Sequence, residues 1–543
     1  MTYTRRSLLK SAVLTGVGTI ACPAMTPGLQ TSSCPDREPV SWGRGFEGQR
    51  KADLGNGYYL NPIFPGDHPD PSILKDGDDY YMTFSSFEAH PALILWHSRD
   101  LVNWTPLGPA LNRTLGSVFA VDLCKHNGRY YIYIPVIPTA VSEEMSGSGI
   151  FVIHADDVRG PWSDPVSLNI TGYIDPGHIV GEDGKRYLFL SGVSRVRLTD
   201  DGLATDGPIE HVYDGWKYPD EWVVEAFALE GPKLFRRNGW FYLVTAEGGT
   251  SGPPTGHMIV VARSRSIHGP WENNPKNPVV RTLSDREYWW SRGHATFVEG
   301  PRGDWWTVYH GYENGYRTLG RQTLLEPIEW TADGWPIARG GDLSGRIAKP
   351  LDGPAAPHGF AFSDNFNHPR LGTQWTFFAP AKDEDGRLTY SGGRMTMASK
   401  GTSPSDCSPL TCLVGDHAYE IGVEMTIGSG AEGGLLLFYN GDHYLGMGHD
   451  GKRMSTYQYG QEIVYWKEPA PVTNHLHLKI VNDRHIVTFY YSADGASWTR
   501  HGLRSEASGY HTNVAGGLLS LRPGLFASGK GSVTFHNFQY SAR

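Results

Sequence analysis

Three carboxylate residues occupy the same position relative to a turn that recurs along the first two-thirds of the chain. Asp70, Asp175 and Glu230 precede a turn glycine by 7, 9 and 9 residues, respectively. Each is followed by proline, directly or after one glycine, and proline fixes the local backbone and removes a hydrogen-bond donor. Taken singly, such residues are turn features. Because these three residues hold the same position in different copies of the repeat, however, their side chains are expected to converge.

Converging carboxylates beside aromatic surface are typical of glycoside hydrolysis. One carboxylic acid protonates the leaving oxygen, and one carboxylate activates water or attacks the sugar. A third negative charge near the acid raises its pKa by repulsion and keeps it protonated. The chain also contains 17 Trp, 28 Tyr and 21 Phe, whose flat faces suit sugar rings.

A repeat organises residues 56–348, the segment that must position these carboxylates. A polar turn with glycine precedes a strand rich in aromatic residues five times, with 51, 56, 55 and 64 residues between successive glycines. The turn glycines are Gly77, Gly128, Gly184, Gly239 and Gly303. A second motif ending in Trp follows the same period, at Trp104, Trp162 and Trp271. Turns of this kind predict hairpins, and the period predicts a five-bladed β-propeller. Unrelated hairpins in a sandwich are the alternative.

The pattern changes after the Pro- and Gly-rich segment 349–359, which indicates a linker. In residues 360–543, apolar and polar residues alternate, as in Leu476, Leu478 and Ile480. Strands of this kind have one buried and one solvated face, so this part is predicted to be an antiparallel β-sandwich. Cys407 and Cys412 are spaced so that they could close a small loop, but the sequence does not establish a disulfide.

The N-terminal 30 residues are predicted to be an export signal. The pair Arg5-Arg6 precedes a short apolar run, as in a twin-arginine signal; an ordinary secretion signal is the alternative and implies the same compartment. We therefore expect a periplasmic or secreted protein with no membrane anchor once the signal is removed. The net charge of −9 and the absence of a basic stretch argue against a nucleic-acid partner.

The motifs around the carboxylates resemble glycoside hydrolase family 43, the five-bladed propellers that include β-xylosidases and α-L-arabinofuranosidases. The matching motifs are residues 68–72 (HPDPS), 173–176 (YIDP), 229–232 (LEGP), 292–296 (RGHAT), 309–311 (YHG) and 320–323 (GRQT). The C-terminal part resembles the concanavalin A-like (lectin-like) jelly-roll domain that follows the propeller in many of these β-xylosidases. The short linker and the resemblance together predict that this sandwich leans over the mouth of the propeller. A stabilising domain far from the site is the alternative.

The resemblance also implies roles for individual residues. Asp70 is expected to be the general base, Glu230 the general acid, and Asp175 the residue that tunes the acid and orients substrate. Arg321 is expected to face the sugar. Phe119 stands where many members have Trp, so the pocket wall differs there. His294 is expected to take part in a calcium and water site, with no organic cofactor.

The expected activity is therefore exo-acting, inverting hydrolysis that releases D-xylose, L-arabinofuranose or both. The polymer or oligosaccharide substrates would be plant cell-wall glycans such as xylan, arabinoxylan, xyloglucan or the side chains of arabinan. Two alternatives remain at this stage: a glycan-binding protein without catalysis, and a five-bladed fructan hydrolase that retains configuration. The sequence does not indicate the oligomeric state.

Overall fold

The computed structural model describes residues 41–137, 148–381 and 384–543. The predicted signal of residues 1–30 lies outside them. No helix in the described ranges is both long and apolar enough to cross a bilayer. Within the described residues the one α-helix is Thr512–Ala515, and short 3₁₀ turns occupy Phe46–Gly48, Ser191–Val193, Arg317–Leu319 and Glu384–Arg387.

Five antiparallel sheets form the predicted five-bladed propeller, which confirms the fold read from the repeat. Blade 1 contains Ser72–Asp76, Asp79–Thr83, Ala92–Ser98 and Thr105–Leu111. Blade 2 contains Asp122–His126, Arg129–Ile137, Gly149–Ala155 and Val166–Ser167, with Ser117–Val118 added. Blade 3 contains Gly177–Val180, Arg186–Leu190, Ser194–Arg197 and Glu210–His211. Blade 4 contains Leu229–Arg237, Trp240–Glu247, Met258–Ser264 and Glu272–Asn273, with Val280–Arg281 added. Blade 5 contains Trp289–Glu299, Trp305–Glu313, Arg321–Trp330 and Pro336–Ala338.

The Asx-Gly turns join the first two strands of their blades, as the sequence predicts. In blades 2 and 4, Asn127 and Asn238 have φ of 49° and 50°, and the following glycines have φ of 82° and 74°. Two successive residues with positive φ define the tight hairpin turn whose twist matches that of the flanking strands. Asn tolerates this conformation and Gly adopts it at no steric cost, so these turns fix the hairpin register.

The chain segment before blade 1 runs along blade 5. The main-chain N–H groups of Ile63 and His68 donate to the carbonyls of Thr323 and Arg321, both at 2.9 Å. A short strand pair, Tyr58–Tyr59 with Ile347–Ala348, joins the two ends of the propeller, and a further pair, Gly43–Arg44 with Arg50–Lys51, precedes them. This closure brings Asp70 beside Arg321, 251 residues away in sequence.

The C-terminal part is a sandwich of two antiparallel sheets around an apolar core. One sheet has seven strands in the order Leu388–Tyr390, Met395–Ala398, Ser532–Ala542, Ala418–Ile427, His475–Asp483, Ile486–Ser492 and Thr499–Glu506. The other has eight, in the order Gln461–Glu462, Met454–Gln458, His443–His449, Ala431–Asn440, Arg522–Gly529, Leu410–Cys412, Trp375–Phe378 and Ala89–His90.

The last strand of the eight-stranded sheet comes from blade 1 of the propeller. Ala89 and His90 pair with Phe378 and Phe377 of the sandwich. The linker is also fixed in place, because the N–H of Gly359 donates to the carbonyl of Trp104 at 2.8 Å. The two parts therefore share a sheet and are not joined by the linker alone.

A disulfide between Cys407 and Cys412, which the spacing allowed, is not formed. Both are buried free thiols, and Cys124 is a half-buried free thiol. The physical reason is their packing: Cys412 lies in the main sandwich core, whereas Cys407 belongs to a separate apolar cluster with Phe438 and Phe526.

Candidate active site

Asp70 lies at the turn just before the first strand of blade 1, in a left-handed backbone conformation with φ of 56°. Its Oδ2 accepts a hydrogen bond from the hydroxyl of Ser85 at 2.6 Å, and its Oδ1 accepts one from Nη1 of Arg321 at 3.1 Å. Nδ1 of His310 lies 3.0 Å from the same Oδ1. A non-glycine residue with positive φ is costly, and such residues cluster at functional sites.

These neighbours keep Asp70 ionised. Burial alone would raise the pKa of its carboxyl, but the charge of Arg321 and the neighbouring His294 and His310 outweigh burial. The pKa of Asp70 therefore lies well below its ordinary value. A carboxylate held in this state can orient a water molecule and accept its proton as the water attacks.

Asp175 occupies the equivalent turn of blade 3, again with φ of 56°, and is buried. Its Oδ2 accepts a hydrogen bond from the main-chain N–H of Gly231 at 3.0 Å, which places it beside Glu230 in blade 4. Burial raises the pKa of Asp175, although the neighbouring His294 opposes the shift.

Glu230 starts blade 4 at an irregular point of the strand, where the register with the next strand shifts between Glu230 and Lys233. Burial, followed by the charges of Asp175 and Asp70, raises the pKa of Glu230 well above its ordinary value. The three carboxylates predicted from the repeat therefore converge. Their environments shift the pKa values in opposite directions, upward for Glu230 and downward for Asp70, which is the pattern expected of an acid–base pair.

Two side chains near Asp70, those of Arg321 and His294, have nitrogen atoms without a hydrogen-bond partner among the described residues. Nε and Nη2 of Arg321 and Nε2 of His294 are buried and have no hydrogen-bond partner among the described residues. Buried polar atoms are almost always paired, so an unpaired set beside these carboxylates is suited to binding the hydroxyl groups of a ligand. Arg321, which the family resemblance expects to face the sugar, lies beside Asp70 with these two nitrogens unpaired.

His294 does not form a direct calcium site with its protein neighbours. Its Nδ1 lies 3.5 Å from Oδ1 of Asp70, and its Nε2 packs against Gly231. Around it, no three His, Cys, Asp or Glu ligand atoms of the described residues gather within 4.8 Å. Calcium takes six to eight oxygen ligands, so this donor set fits the ion only through water.

The ring of Phe87 lies between Phe119 and Arg321 and contacts both. Its ring meets Phe87 edge-on at 5.2 Å between centroids, and the guanidinium of Arg321 lies 5.4 Å from the centroid of Phe87. Phe87 and Phe119 both pack against the apolar core of the sandwich. The residue predicted to shape the pocket wall is therefore at the junction of the two domains.

A buried lysine, Lys233, joins the blades that carry Asp175 and Glu230. Nζ of Lys233 donates to the carbonyls of Val121 and Pro176 at 2.7 and 3.0 Å, and to Oδ1 of Asp122 at 2.7 Å. These contacts join blades 2, 3 and 4. Hydrogen bonds to a charged donor are the stronger kind, which favours a rigid placement of Asp175 and Glu230.

The sandwich contacts the same site through Arg522. Nη2 of Arg522 donates to Oδ2 of Asp67 at 3.1 Å, and Oδ1 of Asp67 accepts the main-chain N–H of Arg321 at 3.0 Å. Nearby, the N–H of Leu521 donates to the carbonyl of Thr318 at 2.8 Å. The sandwich thus reaches the segment that carries Arg321.

Sequence reasoning assigned no role to Ser85, His310, Asp67 or Arg522. His310 stands in the Tyr-His-Gly motif that matches the family, so the sequence offered a signal for it. Its Nε2 lies 3.0 Å from the hydroxyl of Thr250, so the loop before the third strand of blade 4 also reaches the site. The sequence offered no signal for Arg522, because it is 455 residues from its partner Asp67.

Comparisons with known proteins agree with this geometry. A family model described as glycosyl hydrolases family 43 matches residues 59–336, and one described as the β-xylosidase C-terminal concanavalin A-like domain matches residues 363–541. The GH43 BlXynB protein from Bacillus licheniformis superposes with a TM-score of 0.78 at 27% identity, covering 90% of this chain and 100% of that one.

Two curated relatives share a third of their aligned residues with this chain. One is named non-reducing end α-L-arabinofuranosidase BoGH43B, from Bacteroides ovatus, with 33% identity over 64% of this chain and 65% of its own length. The other is named xylan 1,3-β-xylosidase, from a Vibrio species, with 33% identity over 52% of this chain and 57% of its own length. The match therefore spans less than two-thirds of either relative.

Proposed function

The chain belongs to glycosyl hydrolase family 43, as its motifs predict, and we propose that it is an exo-acting, inverting glycosidase that releases D-xylose, L-arabinofuranose or both. The observation that carries the proposal is that Asp70 and Glu230 converge on one site, where the pKa of Asp70 is lowered and that of Glu230 is raised. The names of the relatives, a xylosidase and a non-reducing end arabinofuranosidase, support the sugar and the exo mode.

In the proposed reaction, Glu230 donates its proton to the glycosidic oxygen as the bond to the anomeric carbon breaks. Asp70 accepts a proton from the water that attacks this carbon from the opposite face. The oxocarbenium-like transition state carries positive charge, which the carboxylates stabilise. Arg321 supplies unpaired N–H donors for the sugar hydroxyls.

Asp175 acts through Glu230. Its negative charge is the second cause, after burial, of the raised pKa that keeps Glu230 protonated. Its hydrogen bond from the N–H of Gly231 also holds the main chain next to the acid. This role is expected to be electrostatic and positional, with no proton transfer to substrate.

The test is hydrolysis of 4-nitrophenyl β-D-xyloside and 4-nitrophenyl α-L-arabinofuranoside, alongside xylo-oligosaccharides, arabinan and a fructan. Release of single pentoses from at least one pentoside supports the proposal. Inactivity on both pentosides would contradict it. Binding without cleavage would favour the glycan-binding alternative, and cleavage of the fructan alone would favour the retaining fructan hydrolase.

Calcium and export are further parts of the proposal. Any calcium ion at His294 would be held mainly by water, so removing calcium with a chelator should leave the chain folded and alter activity only modestly. The pair Arg5-Arg6 and the apolar run after it support export to the periplasm or medium. Cell fractionation of the native host tests this, and retention in the cytoplasm would contradict it.

A further inference from the structure

A glutamate and two histidines converge on the outer face of the seven-stranded sheet of the sandwich. Oε1 of Glu424 lies 3.6 Å from Nε2 of His475 and 3.6 Å from Nδ1 of His536. The three ligand atoms all lie within 4.8 Å of one another. The side chains of Glu424, His475 and His536 are 31%, 42% and 15% exposed, so the group is open to solvent on one side.

The sheet brings these residues together through its register and one bulge. Glu424 lies on the strand between those of His475 and His536, and its neighbour Thr426 pairs with His475. On the other side, Met425 pairs with Phe535 and Glu424 with Asn537, which leaves His536 as an extra residue in a β-bulge. Bulges re-aim side chains and are common beside functional sites. Here the bulge turns His536 toward Glu424 while Phe535 stays in the core.

The hydroxyl group of Thr426 contacts, on each imidazole ring, the nitrogen that faces away from Glu424. Oγ1 of Thr426 lies 3.1 Å from Nδ1 of His475 and 2.8 Å from Nε2 of His536. A hydroxyl oxygen has two lone pairs and can accept an N–H from each ring. With the rings donating in this way, the nitrogens that face Glu424 both carry lone pairs. Three electron-rich atoms then point at one another, an arrangement that a cation between them stabilises.

We propose that Glu424, His475 and His536 bind one Zn²⁺ ion, with water as the fourth ligand. Zinc is bound by imidazole nitrogen and carboxylate oxygen at about 2.0–2.2 Å in tetrahedral geometry, which separates ligand atoms by about 3.4 Å. The two separations of 3.6 Å are close to this value. Histidines that bind zinc donate their other N–H to an oxygen that fixes the ring, which is the position of Thr426. Calcium, which prefers oxygen, does not suit two imidazoles.

The zinc site is far from the carboxylates of the propeller. His475 begins the strand His475–Asp483, and His485, just beyond its other end, contacts Thr318 of the propeller at 2.9 Å. Eight residue steps of about 3.3 Å place the two ends of this strand roughly 26 Å apart. Zinc would therefore link three strands of the sandwich and stabilise the fold, and the glycosidase reaction would not depend on it.

The experiment measures zinc affinity of the full chain after metal removal, by competition with a chromophoric chelator. The wild-type chain is expected to bind one Zn²⁺, and substitution with Co²⁺ should give the visible absorption of a tetrahedral site. Glu424→Gln and His536→Ala should abolish tight binding. Thr426→Val, which keeps all three ligands, should weaken affinity by about 10- to 100-fold. His443→Ala, on the other sheet, is the matched control and should bind as the wild type does.

Thermal unfolding with and without Zn²⁺ gives a second measurement. Zinc should raise the Tm of the wild type and of His443→Ala, because a ligand that binds only the folded state stabilises it. It should not raise the Tm of Glu424→Gln or His536→Ala. No stoichiometric binding to the wild type, or equal affinity and an equal rise in Tm in all variants, would overturn the proposal.

Discussion

Arg522→Met removes the charge that links the sandwich to the pocket and should be strongly destabilising. The side chains of Arg522 and Asp67 are only 8% and 1% exposed and lie 3.1 Å apart. Losing one partner of a buried ion pair leaves the other charge buried and unpaired, at a cost of about 3–5 kcal/mol. We expect this loss in the free energy of unfolding, measured by urea denaturation followed by tryptophan fluorescence.

The pH dependence of this loss has a definite sign. Burial already raises the pKa of Asp67, and Arg522 opposes that shift. In Arg522→Met the pKa of Asp67 rises further above its unfolded value. Burying a protonated Asp67 without its arginine partner costs little free energy. The difference in the free energy of unfolding between Arg522→Met and wild type should therefore be smallest at acidic pH and should grow as the pH rises through the carboxyl range.

The double variant Arg522→Met/Asp67→Asn separates this mechanism from lost packing. The amide keeps an oxygen for the N–H of Arg321 and carries no charge, so most of the lost stability should return. Because Asp67 holds the main chain of Arg321, kcat/KM of the single variant should fall by up to about 100-fold, and the double variant should recover. Arg504→Met, at an exposed position on the same sandwich, is the control. Wild-type stability in Arg522→Met, or no recovery in the double variant, would refute this reasoning.

Three further predictions concern carboxyl groups of the propeller. Asp175→Asn removes a charge that raises the pKa of Glu230, so the basic limb of the pH profile of kcat should move to lower pH; an unmoved limb would exclude Asp175 as the tuning group. Glu230→Gln should lower kcat on xylo-oligosaccharides by about 10²–10⁴-fold but less on aryl pentosides with good leaving groups, and equal losses would reassign the acid. Burial raises the pKa of Glu247 to about 7, so its ionisation costs stability as the pH rises from the unfolded value toward 7. Glu247→Gln should therefore match wild type at acidic pH and exceed it by about 3 kcal/mol above pH 7 in urea denaturation, and parallel pH curves would contradict this.

The repeat made the propeller and its three carboxylates predictable because position within a blade determines position around the axis. Asp70 and Asp175 share both phase and backbone conformation, each with φ of 56°. The Asx-Gly turns are equally local, since Asn127 and Asn238 adopt the conformation that a tight hairpin requires. Local sequence was sufficient for these features.

The junction between propeller and sandwich was not predictable in detail because it depends on contacts between distant segments. The pairing of Ala89–His90 with the sandwich has no local pattern, since two residues give no periodicity. The partners Asp67 and Arg522 are 455 residues apart, and no sequence pattern around either residue indicates that the two pair. The expectation that the sandwich leans over the mouth came from the short linker and the family resemblance, and Arg522 and Phe87 are two of the residues through which the sandwich contacts the propeller.

The proposed acid–base mechanism is tested most directly by the anomer that forms first. Proton NMR during hydrolysis of 4-nitrophenyl β-D-xyloside distinguishes α- from β-D-xylose before mutarotation mixes them. With Glu230 as the acid and Asp70 activating water, a single displacement should give α-D-xylose first. Initial β-D-xylose would require a covalent glycosyl-enzyme, with a carboxylate acting as nucleophile, and would contradict the roles assigned to these two residues.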